Sequence, residues 1–182
     1  MVHKRWIALC LAVASGLWGC APTFVDRMTT GPVPPSGQYR EVIVGPLESE
    51  KLSTEARRNL AWSIRKKLLQ EGVFQAASLG DGTLRPKAST VVLTGTIREF
   101  SEGDQLAQFF VGFGAGASQV EGAFELSDSE GNVLLSFTAK TSYAGGLGWG
   151  GLSKLTMEDL LERFASATAK QIAKWMKGET QD

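Results

Sequence analysis

Gln119-Val-Glu-Gly-Ala-Phe-Glu-Leu-Ser-Asp-Ser-Glu-Gly-Asn-Val-Leu-Leu-Ser-Phe-Thr-Ala-Lys-Thr-Ser-Tyr143 holds two alternating runs around a polar, glycine-bearing break. In the first run Val120, Gly122, Phe124 and Leu126 fall on one side, and Glu121, Ala123, Glu125 and Ser127 on the other. In the second, Val133, Leu135, Phe137 and Ala139 share a side. The pattern predicts a half-buried β-hairpin. Its register follows from parity, because inward residues are even-numbered in one run and odd-numbered in the other. Opposing Leu126 to Leu135 and Phe124 to Phe137 makes two apolar pairs and sets Glu121 against Lys140, leaving Ser129–Asn132 as the turn. A slip by one residue would turn the core face outward.

Outward from the hairpin, Thr90–Phe100 alternates as well, with Val91, Leu93, Gly95 and Ile97 on one side. Thr156-x-x-Asp159 is a capping-box pattern that opens a helix. That helix has an apolar stripe of Met157, Leu160, Leu161, Phe164, Ala165, Ile172 and Trp175 or Met176, with acids near its start and lysines near its end, as the helix dipole favours. Arg40–Leu47 reads as a buried strand ended by Pro46, and residues 73–78 as a short edge strand. Between them Ser53 offers an N-cap and Gly72 a stop. Ala56, Leu60, Ala61, Ile64 and Leu68 then form the buried face of a helix. The expected fold is α+β: a small mixed sheet of four to five strands, ending in an antiparallel meander, with two helices packed on it.

On the first helix Trp62 and Leu69 fall on a second side, flanked by Arg58, Arg65 and Lys66. This stripe is either a partner surface or a broad face covered by the sheet or the preceding chain. Two further segments are rich in glycine and aromatic residues: Phe109-Phe-Val-Gly-Phe-Gly-Ala-Gly-Ala117 and Tyr143-Ala-Gly-Gly-Leu-Gly-Trp-Gly-Gly-Leu152. In an up-down-up meander both leave the sheet at one end, and the turn Pro46–Leu52 joins them there if the strand–helix–strand unit is parallel. Gly112-x-Gly114-x-Gly116 is neither the dinucleotide nor the P-loop spacing, so no nucleotide is expected. Either the glycines allow tight turns while Phe109, Phe110 and Phe113 fill the core, or Phe113, Gly114, Gly116, Leu147 and Trp149 form an exposed contact patch.

The 182-residue chain opens on a targeting segment. His3, Lys4 and Arg5 precede an apolar run from Trp6 to Leu17, and Leu17-Trp-Gly-Cys20 closes it. The run is short of the roughly 20 residues that span a bilayer. Leucine three before a cysteine and a small residue just before it resemble the lipobox of bacterial lipoproteins. Acylation at Cys20 is therefore expected, the rival being plain cleavage after Ala21. Two acyl chains of about 16 carbons, at about 0.8 kcal/mol per buried methylene, make a durable anchor. Ala21 stands where aspartate would act as an inner-membrane retention signal, so the expected site is the outer membrane, with the domain facing the periplasm. The domain plan is a signal peptide over 1–19, lipidated Cys20 with a proline-rich tether to 38, one domain over 39–178, and a tail over 179–182. A fully extended tether would reach up to about 50 Å.

Loss of residues 1–19 removes His3, Cys10, Lys4 and Arg5, leaving 17 basic against 19 acidic residues, a net charge of −2. The mature chain then has no histidine and no free thiol. Histidine-based nucleophilic catalysis, Cys/His zinc sites and disulfides are excluded. The near-neutral balance offers no electrostatic footprint for nucleic acid. Carboxylates remain: Glu99, Glu102 and Asp104 follow a strand, and Glu121 and Glu125 share an outward side. A glycosidase-like pair needs a cleft between two such groups, and solvated faces account for these residues.

Val91-Val-Leu-Thr-Gly-Thr-Ile-Arg-Glu-Phe100, Phe110-Val-Gly-Phe-Gly-Ala-Gly116 and Val133-Leu-Leu-Ser-Phe-Thr-Ala-Lys140 resemble a family of bacterial lipoproteins carrying the domain of unknown function 4410, over about residues 40–176. More distantly, the element order is similar to the periplasmic domain shared by the TolB N-terminal region, CsgG and LpoB. The resemblance implies helices packed on a small sheet, and adaptors or oligomer parts in the envelope. It supplies no catalytic residue.

The function expected is a non-enzymatic, cofactor-free periplasmic domain, held at the membrane by its lipid, that binds an envelope protein through Phe113, Leu147, Trp149 and Trp62. Self-assembly as a secretion or structural component is one alternative, and a carboxylate-dependent envelope hydrolase another. Replacing Cys20 with alanine is expected to abolish incorporation of labelled palmitate in cells. Undiminished labelling of that variant would place the acyl chain elsewhere.

Overall fold

The computed structural model describes residues 23–30, 37–81, 85–101, 118–143 and 156–179. In chain order these form β1 (Thr23–Thr30), β2 (Glu41–Ser49), α1 (Thr54–Gln70), β3 (Ala76–Leu79), β4 (Thr90–Ser101), β5 (Ser118–Ser127), β6 (Val133–Tyr143) and α2 (Met157–Lys177). The strands make one mixed sheet in the order β1-β6-β5-β4-β2-β3. The β2–α1–β3 unit is a parallel crossover, β2 also lies parallel to β4, and β4, β5 and β6 form the expected antiparallel meander.

The hairpin register is the one that parity and charge select: Glu121 faces Lys140, Phe124 faces Phe137 and Leu126 faces Leu135. Asp128 organises the turn, its carboxylate accepting from the backbone N–H of Glu130 and Asn132 at 2.9 Å each, and Gly131 takes φ 89°. A bulge just beyond Leu126 reverses the facing of Val133, which was expected inward and is 53% exposed.

Both helices begin where their caps predict. Ser53 accepts from the Ala56 N–H at 3.1 Å, and Thr156 and Asp159 close a reciprocal capping box. Gly178, in the left-handed conformation at φ 73°, ends α2. The helices pack on each other and on one face of the sheet, α1 over β2 and β3, α2 over β5 and β6. Lys67 of α1 meets Glu162 of α2 at 2.6 Å.

Between sheet and α2 the Phe124 ring stacks on Phe137 at 5.4 Å and meets Phe164 at 5.7 Å. Room for these rings comes from inward glycines. A Cβ at Gly95 would lie 2.5 Å from Phe124 Cδ1, and one at Gly122 would lie 3.1 Å from Phe164 Cζ.

Two further expectations change. The stretch read as tether contains β1, which pairs antiparallel with β6 from Thr23 opposite Thr141 to Thr30 opposite Leu135, giving the sheet six strands. β2 also continues through Pro46 to Ser49, because a bulge between Val44 and Leu47 takes the proline out of the ladder.

Gly95→Ala is expected to cost about 1–3 kcal/mol in denaturant unfolding, as an overpacked core does; an unchanged midpoint would mean that the Phe124 ring moves aside freely. The Lys67 ammonium holds the Glu162 carboxyl below its ordinary range, chiefly through their hydrogen bond. A lowered folded-state pKa contributes stability above the unfolded value, and that contribution disappears as pH falls through the folded value. Glu162→Gln is therefore expected to lose about 0.5 kcal/mol at neutral pH, the size of a partly exposed pair. The gap from the wild type should close as pH falls below about 4.

Candidate functional site

The sheet has a distinct end at which several chain segments arrive together. Thr23, the first residue of β1, lies opposite Thr141, and Tyr143, the last of β6, lies opposite Ser118, the first of β5. Gln119 in turn faces Ser101, the last residue of β4. Residues 102–117 thus join Ser101 to Ser118, and residues 144–155 follow Tyr143, all from one end of the sheet. The meander argument holds for the points where both glycine-aromatic segments leave the sheet. Phe113, Gly114, Gly116, Leu147, Trp149 and Cys20 themselves lie outside the described residues, as do Glu102 and Asp104.

β2 also points to this end but stops at Ser49, opposite Ile97 and four residues short of Ser101. Its turn folds back under Ser49, whose hydroxyl accepts from the N–H groups of Lys51 at 3.0 Å and Leu52 at 3.1 Å. Leu52 is buried there.

The arrival of β1 changes the geometry of the N-terminus. Cys20 precedes Thr23 by three residues, so an acyl group placed on it would be at most about 10 Å of chain from the sheet. Sequence reasoning missed this strand. The available signal was Thr23-Phe-Val and Met28-Thr-Thr30, β-branched and aromatic residues between two prolines.

The carboxylates near this end do not enclose a space. Glu99 and Glu121 face each other across β4 and β5 on the sheet side away from the helices. Glu99 accepts from the Gln119 side-chain amide, and Glu121 lies 3.5 Å from the Lys140 ammonium. Glu99 and Glu125 are solvent-exposed. The arrangement is a solvated charge ladder. Among the described residues no group of three His, Cys, Asp or Glu is placed to hold a metal ion, and no helix is long and apolar enough to cross a membrane.

Trp62 lies elsewhere, on the outer side of α1 beside edge strand β3. It is 50% exposed, with the Lys66 ammonium 5.5 Å from its ring centroid. Among the described residues neither the sheet nor β1 covers this stripe. Arg65 reaches from α1 to β3, donating from Nε to the Ala77 carbonyl at 2.8 Å. That bond caps part of the edge strand against pairing with another strand.

The fold has solved counterparts. A PelC dodecamer from Paraburkholderia phytofirmans matches with a TM-score of 0.55 at 19% identity, over 85% of this chain and 98% of that one. A single-substitution variant of the same dodecamer, in another crystal form, matches with 0.56 at 21% identity over the same shares. At these identities the likeness establishes the fold alone. No curated protein matches the chain. The family model described as a domain of unknown function, DUF4410, matches residues 29–146. That span takes in β2 to β6 and α1, and the chain belongs to the DUF4410 family.

Proposed function

We propose that the chain is an outer-membrane lipoprotein, acylated at Cys20, whose non-enzymatic periplasmic domain assembles with copies of itself as a component of the cell envelope. The carrying observation is the meeting of Thr23, Ser101, Ser118 and Tyr143 at one end of the sheet. An acyl chain on Cys20 holds that end within about 10 Å of chain from the lipid surface. The segments that leave from it carry Phe113, Leu147 and Trp149, side chains suited to a membrane interface or to a neighbouring subunit. The fold shared with dodecameric PelC chains supports assembly over a monomeric adaptor. The open placement of Glu99 and Glu121 speaks against a hydrolase, and no cofactor is needed.

A second reading, an adaptor for another envelope protein, draws on the exposed Trp62 stripe. Photo-crosslinking in cells from a probe at Trp149 or Phe113 separates the two. A ladder of the protein's own multiples is the expected result, and a discrete adduct with a different protein would favour the adaptor. A stable, correctly localised protein that forms no adduct would remove both. Combined Phe113→Ser and Trp149→Ser is expected to lower association while leaving helical content unchanged.

A further inference from the structure

The five large apolar side chains exposed among the described residues are Trp62, Leu69, Leu79, Val133 and Met157, and three of them lie on one flank. Trp62 and Leu69 stand on the outer side of α1, and Leu79 on the adjoining edge strand β3. From Arg57 to Gln70 the helix has Arg57, Arg58, Arg65, Lys66 and Lys67 and no acid. Three of these cations are engaged within the fold: Arg57 with Leu47 and Thr54, Arg65 with Ala77, and Lys67 with Glu162. Arg58 and Lys66 flank Trp62 one turn to either side, on the same outer surface. The flank is apolar at its centre and positive at its rim.

The sheet offers its complement. Both helices cover the same face, which leaves the other open among the described residues. Register places Glu48 opposite Thr96, Thr96 opposite Ala123, and Thr94 opposite Glu125, all pointing away from the helices. Glu41, Glu48, Glu99, Glu121 and Glu125 stand on that side against Lys140 and Arg98. Ile43, Val92, Ala123 and Leu134 are partly exposed among them. This face is acidic with apolar patches, and it belongs to the same chain as the basic flank.

A closed ring requires two unlike surfaces on each copy, since a head-to-tail contact joins different patches. We propose that the α1 flank of one copy, centred on Trp62 with Arg58 and Lys66, packs on the open acidic sheet face of the next copy. The proposal rests on the assembly reading above and names the surfaces that carry it. It accounts for an exposed tryptophan on an otherwise charged helix. It also leaves the loop end of every copy free to face the membrane.

The test uses the full lipidated chain in detergent, with mass photometry for the size of the assembly. Three variants are compared: Arg58→Glu with Lys66→Glu, Glu99→Lys with Glu125→Lys, and all four changes together. All four of these side chains lie in solvent, and circular dichroism checks that each variant is folded. Each double reversal is expected to weaken assembly at least about tenfold, and the fourfold variant to restore it by re-pairing the swapped charges. Raised salt should loosen the wild-type assembly. A multimeric wild type whose reversals stay multimeric would overturn the surfaces while leaving assembly intact. A monomeric wild type would overturn both. Loss of anionic-vesicle binding in the α1 variant, with assembly unchanged, would assign the flank to lipid instead.

Discussion

The second helix is seated on the sheet by an aromatic contact that only a missing side chain permits. Phe124 lies flat enough over β4 to occupy the place of a Gly95 side chain, and this lets it stack on Phe137 and meet Phe164 of α2. Adjacent strands are about 4.8 Å apart, so two inward rings on β5 and β6 stand side by side, and leaning over β4 or against α2 needs room. Gly95 and Gly122 yield it. On the other side of the same helix Glu162 meets Lys67 of α1 at 2.6 Å.

A sheet covered on one side has two different exteriors, and they differ in charge. The helical side pairs Glu162 with Lys67 and sets Glu158 and Asp159 at the start of the second helix. The open side carries glutamates on three strands, with Glu99 and Glu121 directly opposite each other. Such a face is soluble without a cover, because its apolar members are small or partly shielded by neighbouring side chains. It nevertheless presents a continuous surface with backbone behind it and little entropy to lose on contact. The basic stripe on α1 is the reverse: long flexible cations around one rigid indole ring.

Several elements were legible because local chemistry and tertiary need coincide in them. Ser53 and the Thr156–Asp159 box mark helix starts through hydrogen bonds that span three residues. The hairpin register needed only parity and one charge pair. The common exit of the two glycine-aromatic segments needed only the count of strand reversals. Where sequence reasoning failed, distant partners decide the structure. β1 is made a strand by β6, and its Asp26-Arg27 step, where the register shifts, interrupts any alternation that could announce it. Pro46 sits in a strand because a bulge removes its need for a donor, and Val133 faces outward because of a bulge after Leu126. Which side of the sheet both helices choose is likewise a property of the assembled core.

The pairing of β1 with β6 also sets a chronology. Thr23 and Thr141 are 118 positions apart, so that contact is among the slowest to close. The β5–β6 hairpin, by contrast, joins near neighbours. A chain exported from its N-terminus presents Cys20 and the residues after it long before Thr141 has emerged. The enzymes that would cut and acylate such an N-terminus meet a stretch that is still unpaired and extended, the form their active sites accept. With Cys20 acylated as proposed, the partner of the last strand would already be fastened to the membrane when that strand arrives. The final edge of the sheet would then form at the bilayer surface, with one end of the closing loop immobilised.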